Sequence, residues 1–140
     1  MTEDTEDLGP DRSLLLVDDD EPFLKRLARA MEKRGFEPVL AGTVAEGRTI
    51  ALEQAPAYAV IDLRLEDGNG LEVVETLREQ RADSRIVVLT GYASIATAVE
   101  AIKLGADDYL PKPATMPMIL RALGQEDDEA GDEADEPELP

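Results

Sequence analysis

Five residues have the side chains and the placement to do chemistry together: Asp18, Asp19, Asp62, Thr90 and Lys112. Each stands at or just past the end of a short apolar run. Leu14-Leu15-Leu16-Val17 leads into Asp18-Asp19-Asp20, and Tyr58-Ala59-Val60-Ile61 into Asp62. Ile86-Val87-Val88-Leu89 leads into Thr90, and Tyr109-Leu110 into Pro111-Lys112-Pro113. If the runs are parallel strands, three carboxylates, a hydroxyl and an ammonium meet on one edge of a sheet. Carboxylates that share a pocket repel one another, so they take up protons or recruit a cation. An all-oxygen set favours a hard divalent ion, and a water-rich octahedral site favours Mg2+ over Ca2+. A carboxylate beside such an ion can attack phosphorus and form an acyl phosphate. Asp62, alone at a strand end, suits the nucleophile. Asp18 and Asp19, adjacent on one turn, suit the metal. Lys112 would add a second positive charge and Thr90 a hydrogen bond.

Each residue also has a plainer reading. An acidic triplet ahead of a helix serves as an N-cap and as favourable charge at the positive end of the dipole. A strand-end aspartate is often a turn residue, and a lysine before proline is often a surface residue. What sets these residues apart is their joint appearance at successive strand ends.

The elements that must position them alternate regularly. Strands are expected at 13–17, 37–41, 57–61, 85–89 and 108–110. Helices are expected at 21–34, 43–54, 70–80, 94–104 and 115–123. In the first helix Leu24, Leu27 and Met31 share a face, Pro22 sits in the first turn and Gly35 ends it. In the second, Thr43 followed by Glu46 has capping-box spacing. In the third, Leu71, Val74 and Leu77 are expected to face inward. Asp67-Gly68-Asn69-Gly70 lacks the glutamate that would close an EF-hand loop and reads as the approach to this helix. Such alternation with short loops implies an α/β fold, a flavodoxin-like (βα)5 doubly wound parallel sheet of strand order 2-1-3-4-5. In that order the switch point lies between strands one and three at their carboxyl ends, where Asp18, Asp19 and Asp62 would sit.

The chain has 140 residues, enough for one domain, and its net charge is −18. Residues 1–10 carry four acids and residues 126–140 carry nine, with no Lys or Arg in either stretch. Segments 1–12 and 125–140 are therefore expected to be disordered acidic tails around a domain spanning 13–124. This charge repels nucleic acid and anionic lipid, so no DNA contact is expected from this chain itself. Cysteine and histidine are both absent, which excludes disulfides, thiolate or imidazole metal sites and a His base. With no apolar run near the ~20 residues of a membrane span, a soluble, cytoplasmic chain is expected.

The segments LLVDDD (15–20), IDLRL (61–65), VLTG (88–91) and GADDYLPKP (105–113) resemble the receiver domain of two-component response regulators. The resemblance spans about 13–123. It implies that Asp62 accepts a phosphoryl group from a sensor histidine kinase, with Asp18, Asp19, Asp62 and the backbone carbonyl of Arg64 around Mg2+. It further implies that Lys112 holds the phosphoryl oxygens, that Thr90 and Tyr109 form a switch pair, and that Lys112–Pro113 is cis. Arg64 and Tyr92, each two residues past a site residue, would tune the lifetime of the acyl phosphate. The surface of the fourth helix, fifth strand and fifth helix would change on phosphorylation and support a homodimer. More narrowly, PFLKRLARAMEKRGF (22–36) and GYASIATAVEAIKLGADDYLPKP (91–113) resemble the RegA/PrrA/ActR type of alphaproteobacterial global redox-responsive regulators. There the receiver precedes a DNA-binding helix-turn-helix output domain. The acidic tail resembles the start of an interdomain linker, so either a piece of such a regulator or a stand-alone receiver is expected.

Two other readings are open. A degenerate receiver acting only as an interaction module would usually have lost an acid, the Thr or the Lys, and all are present. A haloacid-dehalogenase-type phosphatase would need a second aspartate two residues past the nucleophile, where this chain has Arg64.

Overall fold

A computed structural model of the chain describes residues 11–91 and 95–125. Its elements run β1 (Ser13–Val17), α1 (Glu21–Lys33), β2 (Glu37–Ala41), α2 (Val44–Gln54), β3 (Tyr58–Asp62), α3 (Leu71–Gln80), β4 (Arg85–Thr90), α4 (Ile95–Leu104), β5 (Asp108–Pro111) and α5 (Met116–Ala122). The five strands form one parallel sheet in the order β2-β1-β3-β4-β5. This is the expected flavodoxin-like topology.

Because successive strand residues point to opposite faces, each central strand feeds two cores. Leu14, Leu16, Val60, Val87 and Leu89 pack with Leu24, Leu27 and Met31 of α1 and Ile119 and Leu120 of α5. On the other face Leu15, Val17, Ile61, Ile86 and Val88 pack with Ala51 of α2, Val73, Val74 and Leu77 of α3, and Ala101 of α4. Strands buried on both faces are therefore apolar throughout.

The helix caps follow the sequence signals, with one shift. The Thr43 hydroxyl oxygen accepts the Glu46 N–H at 3.0 Å, while the Glu46 carboxylate accepts the N–H of Gly42 at 2.8 Å. The return bond of the capping box thus lands one residue before the cap. In α3, Val73 and Thr76 are buried beside Val74 and Leu77, whereas Leu71 is only half-buried. The stretch expected as a plain loop before α3 contains a short antiparallel hairpin, Arg64–Leu65 against Gly68–Asn69.

Two arginines of the α3 end tie the amino-terminal edge of the sheet together. Arg78 donates to the carbonyls of Ala82 (2.8 Å), Ser84 (2.7 Å) and Gly105 (2.7 Å) and pairs with Asp107 at 3.0 Å. Arg81 donates to the Ala55 carbonyl at 3.0 Å and pairs with Asp11 at 2.8 Å. Composition places Asp11 and Arg12 in one tail and Gln125 in the other, yet all three are held by the domain, Gln125 through its N–H to the Leu120 carbonyl at 2.9 Å. The Arg12 guanidinium lies 4.2 Å from the centre of the Phe36 ring and donates to the Arg34 carbonyl at 3.1 Å. Among the described residues no helix is long and apolar enough to cross a membrane.

Candidate functional site

The register brings the strand ends level. Val17 is paired with both Ala41 and Ile61, Asp62 with Leu89, and Thr90 with Pro111. The residues that follow the last apolar position of each strand therefore emerge at one edge. Asp18, Asp19 and Asp62 each offer a carboxylate oxygen, and these atoms lie within 4.8 Å of one another.

The structure sorts the acidic triplet into three roles. Asp18 is buried, and its Oδ1 accepts the Asp20 N–H at 2.9 Å. Asp19 is exposed at the rim. Asp20 is the N-cap of α1, its Oδ1 accepting the Phe23 N–H at 3.1 Å. Asp20 thus takes the cap, and Asp18 and Asp19 are the two members of the triplet whose carboxylates gather with that of Asp62.

Asp62 is 4% exposed and Asp18 is 2% exposed, so neither carboxylate is solvated well enough to stand alone. Lys112 answers both: its ammonium lies 3.0 Å from Asp18 Oδ2 and 3.2 Å from Asp62 Oδ2. Asp62 Oδ1 accepts the Arg64 N–H at 3.1 Å. Burial pushes the Asp62 carboxyl above the usual carboxylate range. The Arg64 N–H opposes this, the Asp18 charge reinforces it, and Lys112 opposes it. For Lys112, burial works to lower the pKa. The hydrogen bond to Asp18 and the charges of Asp62 and Asp18 outweigh it, so the ammonium is held above its ordinary value. One ammonium faces two buried acids and a third acid at the rim. An all-oxygen donor set short of positive charge fits a hard divalent cation.

Thr90 is buried at the end of β4, and its carbonyl accepts the Lys112 N–H at 2.9 Å. Tyr109 is on β5, paired with Val88 and 40% exposed. Arg64 is exposed and meets the site through its backbone. Tyr92 lies outside the described residues. The Lys112–Pro113 peptide is cis.

Two residues near the site were not picked out from sequence. The Phe23 ring lies 5.4 Å from the Lys112 ammonium, a cation–π contact that braces the lysine from the first turn of α1. Asp67, at the tip of the small hairpin, accepts the N–H groups of Val44 and Ala45 at 2.8 and 3.2 Å. The Val44 bond, aided by that of Ala45, holds its carboxyl below the usual range. Position three of a capped helix is a recognisable signal for Phe23. A contact spanning 23 residues, as for Asp67, leaves no local mark.

The sequence pattern of the response regulator receiver domain matches residues 14–124. The photosynthetic apparatus regulatory protein RegA of Rhodovulum sulfidophilum is 66% identical over 123 residues, covering 88% of this chain and 67% of that protein. The acid tolerance regulatory protein ActR of Rhizobium meliloti (strain 1021) is 56% identical over 137 residues, covering 98% of this chain and 69% of the relative. The chain spans about two thirds of the length of the curated relatives it matches. Among solved structures, a response regulator protein from Burkholderia pseudomallei with a phosphorylated aspartic acid, calcium ion and citrate superposes with a TM-score of 0.77. It is 41% identical, with 91% of this chain and 74% of that one covered. The beryllofluoride-activated NtrC4 receiver domain dimer superposes at 0.73 with 33% identity, over 81% of this chain and 93% of that one.

Proposed function

This chain belongs to the receiver family of two-component response regulators, and from that premise we propose that Asp62 is its phospho-acceptor, taking a phosphoryl group from a sensor histidine kinase. The observation that carries this reading is the pair of buried carboxylates, Asp18 and Asp62, bridged by the single ammonium of Lys112 beside a third acid, Asp19. An Asp62 carboxylate oxygen attacks the phosphorus of a phosphohistidine. The new O–P bond forms as the P–N bond breaks, and the imidazole nitrogen leaves with the electron pair. Asp18, Asp19, Asp62 and the Arg64 carbonyl would hold Mg2+, which supplies positive charge facing the phosphoryl oxygens. Lys112 pairs with a phosphoryl oxygen, exchanging one carboxylate partner for a more highly charged one. The Thr90 hydroxyl donates to another, and Arg64 and Tyr92 set how readily water reaches the acyl phosphate.

The output follows from what the added charge favours. Drawing Thr90 toward the phosphoryl group opens space for Tyr109, which is half-exposed beforehand. Its inward turn remodels the face made by α4, β5 and α5. Ile95, Val99 and Ile102 of α4 are 62%, 46% and 41% exposed, an apolar stripe suited to a second copy of the domain. Phosphorylation shifts the population only because the two states differ in these contacts. The domain takes in residues 11–125 and acts in the cytoplasm. A DNA-binding output domain elsewhere in the regulator reads the dimer.

The direct test is incubation with acetyl phosphate, with and without Mg2+, and intact mass measurement of wild type and Asp62→Asn. One Mg2+-dependent phosphoryl adduct, absent in the variant, is expected. A stoichiometric adduct on Asp62→Asn would remove Asp62 from its role.

A further inference from the structure

The hairpin that follows Asp62 is fastened at both ends, and only its base belongs to the chemistry proposed above. At the base, the Arg64 N–H donates to Asp62 Oδ1 at 3.1 Å and the Gly70 N–H donates to the Leu63 carbonyl at 3.0 Å. The approach there is close enough that a methyl group on Gly70 would overlap the Asp62 carbonyl oxygen. At the tip stands Asp67, three residues past Arg64 and exposed to solvent. Both of its carboxylate oxygens are committed, Oδ1 to the Val44 N–H at 2.8 Å and Oδ2 to the Ala45 N–H at 3.2 Å. These are the first two residues of α2. The Thr43 hydroxyl already serves the Glu46 N–H. Of the N–H groups that a helix start leaves without intrahelical partners, two are thus served from a different segment of the chain.

We propose that Asp67 is a positioning residue for the Asp62 site, clamping the hairpin tip to α2 so that the Arg64 backbone stays fixed against the Asp62 carboxylate. The inference deepens the functional reading above and rests on it. The Arg64 peptide is the element at stake, because its N–H orients the Asp62 carboxylate and its carbonyl is the backbone ligand assigned to Mg2+. A hairpin with only two paired residues on each side is too short to hold itself rigid. A charged, two-pronged hydrogen bond to a helix start supplies the missing constraint. Helix α2, which contributes no side chain to the chemistry, thereby becomes part of the frame that sets the site.

The experiment is a Mg2+ titration followed by amide chemical shifts of Asp62 and Arg64, which report only on folded molecules. It is paired with the rate of phosphoryl uptake from acetyl phosphate. Wild type, Asp67→Ala, Asp67→Asn and Glu66→Gln are compared. Asp67→Ala is expected to bind Mg2+ several-fold more weakly and to take up phosphoryl groups more slowly by a similar factor. Asp67→Asn is expected to fall between, since an amide oxygen can accept one of the two N–H groups but carries no charge. Glu66→Gln removes the same charge one residue away without touching the clamp, and is expected to match wild type. Wild-type affinity in Asp67→Ala would overturn the proposal. So would equal weakening in Asp67→Asn, Asp67→Ala and Glu66→Gln, which would make the effect one of charge at a distance. If wild type itself shows no Mg2+-dependent shift and no adduct, the functional reading fails first and this proposal falls with it.

Discussion

The Lys112 ammonium stands 3.2 Å from Asp62 Oδ2, although their strands are not neighbours. β4 lies between β3 and β5, so the lysine leans across the end of a whole strand to reach the acid. It also reaches Asp18, one strand further away, at 3.0 Å. A single flexible side chain thus spans the edge of the sheet over four strands.

Asp62→Asn is expected to abolish phosphoryl uptake and also to raise the stability of the protein at neutral pH. Asp62 has a raised pKa in the folded state, mainly through burial. Its contribution to stability is full below the unfolded carboxyl pKa and is lost as pH rises through the folded value. At pH 7 the charged acid is a burden, and an amide of the same shape removes it. A gain on the order of 1 kcal/mol corresponds to a few degrees in Tm. Calorimetry in Mg2+-free buffer tests this, and a clear fall in Tm would contradict it.

Lys112→Ala should fold but lose about 1–3 kcal/mol at pH 7, because two buried carboxylates then face each other without a cation. The deficit should narrow in acid, since protonating Asp62, whose carboxyl burial holds above the usual range, relieves the repulsion. Urea midpoints for both proteins at pH 7 and pH 4.5 give the comparison. An equal deficit at both pH values would mean that packing, not charge, is what the lysine provides. Activation by phosphorylation should also be impaired.

Gly70→Ala forces a methyl against the Asp62 carbonyl oxygen and Ile61 Cγ2. The strain should cost about 1–3 kcal/mol and displace the backbone next to the acceptor. Slower uptake of phosphoryl groups by the folded fraction is expected. An unchanged Tm and rate would show that the loop relaxes freely.

Val99→Glu places a charge within the exposed stripe of α4 while leaving the acids untouched. Phosphoryl uptake from acetyl phosphate should be normal, and the phosphorylated protein should remain monomeric by light scattering where wild type dimerises. A dimer that survives the substitution would place the interface elsewhere.

Asp11→Asn should lower stability at pH 6 by less than about 1 kcal/mol, since the ion pair with Arg81 is exposed and screened by salt. The hydrogen bond from the Ser13 hydroxyl, then that from Arg81, lowers the Asp11 carboxyl to about 2. A depressed acid contributes stability above its unfolded pKa near 3.8 and loses it as pH falls through the folded value. The gap between wild type and variant should therefore close between pH 4 and pH 2, and shrink in high salt. Urea midpoints across that range decide it.

The fold was legible because a strand buried on both faces must be apolar along its length, so the three inner strands stand out as runs that end where polarity begins, while the half-exposed edge strands β2 and β5 follow from the alternation around them. Asp18, Asp62, Thr90 and Lys112 were marked by those endings. The hairpin at 64–69 was not, since two paired residues on each side give no periodicity to detect. Adjacency on one turn singles out Asp18 and Asp19 for the pocket, but it does not say which member of the triplet caps α1, a role that falls to Asp20. Asp67, Phe23 and Arg78 act through contacts between segments far apart in the chain. Asp11 and Arg12 look like the end of a tail until the ring of Phe36 and the side chain of Arg81 are brought beside them.

Arg78 gathers the carbonyls of Ala82, Ser84 and Gly105 and the carboxylate of Asp107 around one planar group. All lie at the start of β4 and β5, opposite the end that carries the acids. That fastening makes the two strands behave like levers on a fixed pivot. A disturbance at the acidic end can swing their tips and the attached α4, but it cannot slide one strand past the other. Amide exchange should therefore be slowest around Ile86 and Asp107 and quicken toward Thr90. The register of β4 against β5 would survive every signalling cycle.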